Sequence, residues 1–165
     1  MFENLKAAKA VGVTLSNLKG PSAPSSHRAW ACDVLFYGAK VGSASGSDIK
    51  REISLVIDEK LMQQMVDVLK GGSFKLDLTH LPKRTPGLGT PHGFMSLAIA
   101  QIADEMDLAK ELKISARTQT LVVMRATPDK VTVFSEPYSH DVKARLSAQY
   151  GDDITEFVNE SLKGI

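Results

Sequence analysis

The chain has 165 residues, of which 43% are hydrophobic and 24% are charged, and its net charge is +1 at neutral pH. These values are typical of a globular chain and argue against wholesale disorder. The single cysteine, Cys32, excludes an internal disulfide framework and a cysteine-rich zinc site. No apolar run approaches the ~20 residues that cross a bilayer, and the N-terminus lacks the apolar core of a secretory signal. We therefore predict a cytoplasmic protein without a membrane partner.

The charges are unevenly distributed along the chain. The first 51 residues carry seven Lys and Arg against three Asp and Glu, whereas the C-terminal part is acidic overall. This polarity is mild and falls short of the basic stripe that marks a strong nucleic-acid binder.

The first half of the chain predicts one helix followed by strands. Apolar residues recur every three or four positions over residues 2–19, which favours a helix, although Val11, Val13 and Leu15 also alternate as in a strand. Pro and Ser then form a connector that ends at Ser26. From His27 the period becomes two, and it predicts strands through Trp30–Phe36, Val41–Ala44 and Glu52–Ile57. Asp58 is a predicted N-cap for a helix that ends at Gly71 and Gly72.

The second half predicts further strands and helices. Phe74, Leu76 and Leu78 alternate with polar residues and predict a fourth strand, and a long helix follows from Gly93 to Lys113, which Asp107 could divide. A hairpin is predicted from strands 118–126 and 130–136, with the turn at Thr127-Pro128-Asp129. Two helices, Ser139–Tyr150 and Asp153–Lys163, complete the prediction.

These elements predict an α+β fold, because they show no regular alternation of strands and helices. The expected architecture is an antiparallel meander in the order β-β-β-α-β, extended by the later hairpin, with helices packed on one face. A chain of this length suits a single domain, residues 1–165, in which residues 1–26 form a candidate peripheral helix and connector.

The segment from Thr79 to Gly93 is the most unusual part of the sequence. It contains three of the seven prolines, three of the twelve glycines and two of the four histidines, together with a Lys-Arg pair and no acidic residue. A basic loop that enters a helix offers anions both side-chain charge and free backbone N–H groups. The predicted binding residues are those of this loop and of one hairpin tip: His80, Lys83, Arg84, Gly87, Gly89, His92, Gly93 and Lys40.

Other candidate sites favour structural interpretations. The histidines lack the short spacing of zinc ligands, and Cys32 alternates with core positions, so we expect a buried and inert thiol; a pairing of Cys32 with His80 or His92 remains open. Ser139-His140-Asp141 contains the residue types of a catalytic triad without its geometry, and Ser139 is better explained as an N-cap. Asp152 and Asp153 are expected to cap the last helix. We therefore predict no metal, no cofactor and no catalytic residues.

The preferred function is a non-catalytic interaction module that binds a macromolecular partner, most simply a protein, through the basic loop 80–93. One alternative is a nucleic-acid-binding protein that uses the basic N-terminal half and the aromatic residues on the strands, chiefly Trp30, Phe36, Tyr37 and Phe74. Core positions are the competing interpretation of Trp30, Phe36 and Phe74. Another alternative is a phosphorylated-ligand site or a phosphoryl-transfer enzyme where the loop joins the helix. The sequence is also compatible with a homo-oligomer.

Overall fold

The computed structural model describes residues 1–20, 29–46, 53–79, 87 and 89–165. The chain divides into two compact units. One unit comprises Phe2–Asp107, and the other comprises Leu108–Ile165 together with Met1. Each unit contains an antiparallel sheet and helices, so the α+β class is confirmed.

The first unit is built around an antiparallel meander. Helix α1, Glu3–Ala10, is followed by strands β1, Val13–Lys19, β2, Trp30–Phe36, β3, Ala39–Gly46, and β4, Ile53–Ile57, which pair in the order β1-β2-β3-β4. Helix α2, Glu59–Gly71, comes next, and helix α3 runs continuously over Pro91–Ser115 without a break at Asp107. The boundary between the two units falls within α3.

One face of the meander supplies the core, as the two-residue period predicts. Buried apolar side chains on this face are Val13, Leu15, Trp30, Cys32, Val34 and Ala44. Strand β3 places glycine at the two neighbouring positions of that face, where Gly46 lies opposite Trp30 and Gly42 lies opposite Val34. An added Cβ at Gly46 would overlap the indole ring, so the glycine makes room for the only tryptophan of the chain.

The helix predicted over residues 2–19 is correct only in its first half. Helix α1 ends at Ala10, Gly12 takes a φ of +80°, and Val13 begins a strand that pairs with β2. The alternation of Val11, Val13 and Leu15 therefore indicated the true structure. The free edge of β2 decides between the two patterns, because pairing with it buries Val13 and Leu15 on the core face.

The predicted fourth strand at Phe74–Leu78 is wrong as a strand, since this segment joins neither sheet in the described part of the chain. Its backbone is bound instead by two side-chain amides, those of Asn4 and Gln101, which we call the amide clamp. Asn4 accepts from the N–H of Lys75 at 3.0 Å and donates to its carbonyl at 2.7 Å. Gln101 likewise accepts from the N–H of Asp77 at 3.1 Å and donates to its carbonyl at 2.7 Å. The clamp thus replaces a neighbouring strand.

The second unit contains the predicted hairpin in a sheet of its own. Strands β5, Thr120–Met124, β6, Thr127–Phe134, and β7, Ile154–Phe157, form an antiparallel sheet in the order β6-β5-β7, so the hairpin does not extend the meander. The turn lies at Arg125 and Ala126, and Pro128 falls within β6. Proline is tolerated there because β6 is an edge strand.

The last predicted helix, Asp153–Lys163, is wrong over its first half. Helix α4, His140–Tyr150, is followed by a 3₁₀ turn at Gly151–Asp153, by β7 and by the short helix α5, Val158–Ser161. Strand β5 buries consecutive residues on both faces, Leu121, Val122 and Val123, and therefore needs a partner on each side. Pairing of β7 with β5 supplies the second partner and overrides the helical pattern.

Candidate functional site

The described residues of the second half of the basic loop are Gly87 and residues 89–93, and most of them are exposed. Gly87, Gly89, Thr90, Pro91 and His92 are all at the surface, and Gly93 is half-buried. The predicted binding residues His80, Lys83 and Arg84 lie outside the described residues. Leu78 and Thr79, which lead into the loop, are exposed as well, and Leu78 retains 46% of its accessible surface. Both described ends of the loop therefore lie at the protein surface.

A compact turn joins the loop to α3. Gly87 takes a φ of +79°, and its carbonyl accepts from the N–H of Thr90 at 2.9 Å and from its hydroxyl at 2.6 Å. The same hydroxyl oxygen accepts from the N–H of Gly93 at 3.1 Å, so Thr90 is the N-cap of α3. Pro91 suits the first helical position, because it has no N–H to leave unpaired.

A cleft of about 370 Å³ opens beside this turn, between the first turns of α2 and α3. Its lining residues are Glu59, Met62, Gln63, Thr90, Pro91 and His92. Asp58 orients the first turn of α2, since its carboxylate accepts from the N–H groups of Lys60 and Leu61 at 3.0 and 3.2 Å, which confirms the predicted cap. Two capped helix starts thus determine the shape of the cleft.

The cleft combines apolar and polar groups. Met62 and Pro91 supply apolar surface, Gln63, Thr90 and His92 supply hydrogen-bonding groups, and Glu59 supplies a carboxylate. Gln63 is oriented by a hydrogen bond from its amide to Asp67 at 2.8 Å. This mixture can bind a ligand that presents apolar and hydrogen-bonding groups together.

The amide clamp determines where the loop begins. The extended segment is anchored at Lys75 and Asp77, and Phe74 is buried edge-on against Phe94 of α3, with ring centroids 6.3 Å apart. Thr79 is held to Asp77 by its N–H at 2.8 Å. The segment Phe74–Thr79 is therefore anchored along its length by these contacts.

Lys40 is the second residue of β3, next to the tip of the β2–β3 hairpin. Its ammonium group pairs with the Asp33 carboxylate at 2.7 Å, and Asn17 donates to the same carboxylate at 2.7 Å. The hydrogen bond from Lys40, followed by that from Asn17, lowers the pKa of Asp33. Of the predicted binding residues, the described structure thus groups Gly87, Gly89, His92 and Gly93 in one turn and leaves Lys40 in a separate ion pair.

The remaining sequence candidates have structural roles. Cys32 is 4% exposed, and burial raises the pKa of its thiol to about 11, as expected of an inert cysteine. Ser139 caps α4 by accepting from the N–H of Val142 at 3.2 Å, as predicted. Asp152 and Asp153 lie in the 3₁₀ turn before β7, so the prediction that they cap a last helix is wrong. Within the described ranges, no group of three or more His, Cys, Asp and Glu residues could hold a metal ion.

Sequence reasoning missed the α2 side of the cleft and the amide clamp. Thr90 followed by Pro91 is a recognisable helix start and could have placed the N-cap. Glu59, Met62 and Gln63 carry no such signal, because only the approach of α2 to α3 brings them to the cleft. Asn4 and Gln101 are likewise ordinary helix-surface amides in the sequence.

Comparison with known proteins finds no matching family model, no similar curated protein and no similar solved structure. A search of the described helices finds none that is both long enough and apolar enough to span a membrane.

Proposed function

We propose that the chain is a non-catalytic interaction module that binds a protein partner through the loop–cleft surface, which we define as loop 80–93 together with Glu59, Met62 and Gln63. The observation that carries this proposal is the cleft of about 370 Å³ that opens directly beside the exposed end of the basic loop. A concave site beside a surface loop is a common arrangement for binding a flexible ligand.

The chemistry of the surface favours a peptide segment of the partner. An apolar side chain of the partner would contact Met62 and Pro91, while its backbone amides would bind to Gln63, Thr90 or His92. Lys83 and Arg84 add two positive charges within the loop. An acidic residue that flanks the segment bound in the cleft, and so is not placed against Glu59, would therefore strengthen binding and speed the encounter.

The two other candidate functions have less support. A phosphorylated ligand would be repelled by Glu59, which lines the same cleft. Nucleic-acid stacking would need exposed aromatic faces, but Trp30 and Phe74 retain only 5% and 6% of their accessible surface. The burial of these two side chains agrees with their interpretation as core residues. Of the four aromatics only Tyr37 is strongly exposed, at 70%, and a single ring is a small stacking surface, so a protein is the better-supported partner.

The loop is tested with the double variant Lys83→Ala/Arg84→Ala. We expect partners recovered with the wild-type protein from the native host, and identified by mass spectrometry, to be reduced about tenfold, since charge pairs at an interface are worth on the order of 1–2 kcal/mol. The matched control, Arg125→Ala/Lys130→Ala, removes two exposed positive charges from the other unit and should recover partners normally.

The cleft is tested with Gln63→Ala and His92→Ala, both at exposed positions. Binding of the same partner, measured by calorimetry, should weaken with each variant while circular dichroism is unchanged. Gln149→Ala, an exposed glutamine on α4, is the control. If neither the loop variant nor the cleft variants alter partner recovery, or if wild-type recovery contains nucleic acid instead of protein, the proposal is wrong.

A further inference from the structure

Strand β4 forms one edge of the four-stranded sheet. It is last in the order β1-β2-β3-β4, and no described strand pairs with its outer side. In a strand, alternate residues direct their N–H and C=O groups to one side, so the outer edge of β4 presents a row of backbone donors and acceptors. Such a row can bind another strand.

Within Ile53–Ile57, the β4 edge carries no charge, proline or bulge of the kind that normally protects an edge strand. Its sequence, Ile-Ser-Leu-Val-Ile, has no charged residue and no proline, and its pairing with β3 shows no shift in register. Val56 is 66% exposed. The opposite edge, β1, is different: its register shifts between Ser16 and Lys19, and Asn17 takes a φ of +52°. Only one of the two edges is therefore flat and apolar.

We propose that β4 pairs antiparallel with β4 of a second copy of this chain about a two-fold axis. An axis perpendicular to the sheet keeps the core face of both copies on the same side, so odd-numbered residues must lie opposite odd-numbered ones. The register that uses the whole strand is centred on Leu55. It places Leu55 opposite itself, Ile53 opposite Ile57 and Ser54 opposite Val56.

This register is self-complementary. Ile53, Leu55 and Ile57 are only half-buried within one copy, although they lie on the core face of the sheet. Pairing them with the same residues of a second copy extends the apolar core across the axis, and each cross-strand pair is stabilising. The bulged β1 edge cannot match β4 in this way, so a head-to-tail chain of copies is disfavoured.

The dimer joins two four-stranded sheets into one continuous sheet. A strand of five residues is about 17 Å long, so the contact buries less than the ~1,200 Å² typical of stable complexes. We therefore expect a reversible dimer that depends on concentration.

Sedimentation equilibrium of the full chain tests the pairing. Between about 10 μM and about 1 mM, the weight-average mass should rise from 17.9 kDa towards twice that value, with a dissociation constant on the order of 100 μM. The variant Ser54→Lys/Val56→Lys should stay monomeric, because the new charge at position 54 faces the new charge at position 56 of the other copy. Both positions are exposed, so the fold tolerates the change. Gln64→Lys/Gln149→Lys adds the same charge on exposed helix positions and should dimerise normally.

A charge-swap experiment separates specific pairing from general repulsion. Ser54→Glu/Val56→Glu should also be monomeric alone, whereas an equimolar mixture with Ser54→Lys/Val56→Lys should regain the dimer, because each lysine then faces a glutamate. A wild-type mass of 17.9 kDa at every concentration would overturn the proposal. So would a mass that continues to rise beyond the dimer, a lysine variant that still dimerises, or a mixture that stays monomeric.

Discussion

Two glycines, Gly46 and Gly71, differ in whether the surrounding structure leaves room for a side chain. Gly46 lies opposite Trp30, and the indole fills the space that a side chain at position 46 would need. Gly71, at the end of α2, has open space around its Cα instead. The two glycines thus form a matched pair, one constrained by packing and the other not.

The variant Gly46→Ala should lower the free energy of unfolding by about 1–3 kcal/mol, because the new methyl group forces the indole or the strand to move. Urea denaturation followed by tryptophan fluorescence measures this directly, since Trp30 is the only tryptophan. Gly71→Ala is the control and should leave stability unchanged or raise it by up to about 1 kcal/mol. Equal effects at the two sites would contradict the packing argument.

Cys32 predicts a specific pH dependence of alkylation. Only the thiolate reacts, and burial raises the pKa of this thiol from 9.0 to about 11, so iodoacetamide should react far more slowly at pH 8 than it does with the urea-unfolded chain. The pKa of the thiol is higher in the folded state than in the unfolded state, so ionisation favours the unfolded chain between these two values. The free energy of unfolding should therefore fall as pH rises from 9 to about 11. Cys32→Ala should lack that loss. Alkylation at the unfolded rate would show that Cys32 is accessible.

At the scale of elements, the start of α3 depends on one side chain. Thr90 accepts from Gly93 and donates to Gly87, so a single hydroxyl both caps the helix and closes the turn before it. The same residue lines the cleft. The shape of the candidate site is therefore coupled to the stability of this helix end.

Thr90→Ala should lower the free energy of unfolding by about 1 kcal/mol, the usual cost of losing an N-cap. Thr90→Ser keeps the hydroxyl and should stay within about 0.5 kcal/mol of wild type. Urea denaturation of the three proteins side by side provides the measurement. A serine variant as unstable as the alanine variant would mean that the methyl group, and not the cap, matters.

The amide clamp explains how an extended segment exists without a sheet. Asn4 and Gln101 each bind one residue of the segment on both its N–H and its carbonyl, and Asn4 also donates to Gln101 at 3.3 Å. Since Lys75 and Asp77 are two residues apart, their backbone groups face the same way, as strand geometry requires.

We expect Asn4→Ala and Gln101→Ala each to cost about 1 kcal/mol and to speed hydrogen exchange at the amides of Lys75 and Asp77, respectively. The double variant should cost less than the sum of the two, because the amides also contact each other. Gln64→Ala, on the exposed surface of α2, should change neither quantity. Exchange at Lys75 and Asp77 that does not respond to either variant would exclude the clamp.

At the scale of the whole molecule, the chain forms two compact units, while its length predicts one domain. Trp30 reports only on the unit Phe2–Asp107, whereas far-ultraviolet circular dichroism reports on both. A single cooperative domain predicts coincident urea transitions by the two methods. Transitions that separate would instead identify two domains and correct the prediction of one.

The sequence by itself determined the α+β class, the strands from Trp30 to Ile57, the capped helix after Asp58 and the cap at Ser139. These features depend on local physics: the two-residue period of a half-buried strand, and side-chain oxygens that satisfy free N–H groups at helix starts. The predicted loop 80–93, by contrast, extends into α3, which begins at Pro91 because Thr90 supplies the N-cap.

Only the tertiary structure decided the remaining features. Val13–Lys19 is a strand because β2 offers an edge, Ile154–Phe157 is a strand because β5 needs a second partner, and Phe74–Leu78 is not a strand because side-chain amides satisfy its backbone. The cleft likewise exists only where α2 meets α3. In each case a distant part of the chain supplies the partner, and the free energy of that contact exceeds the small difference between local conformations.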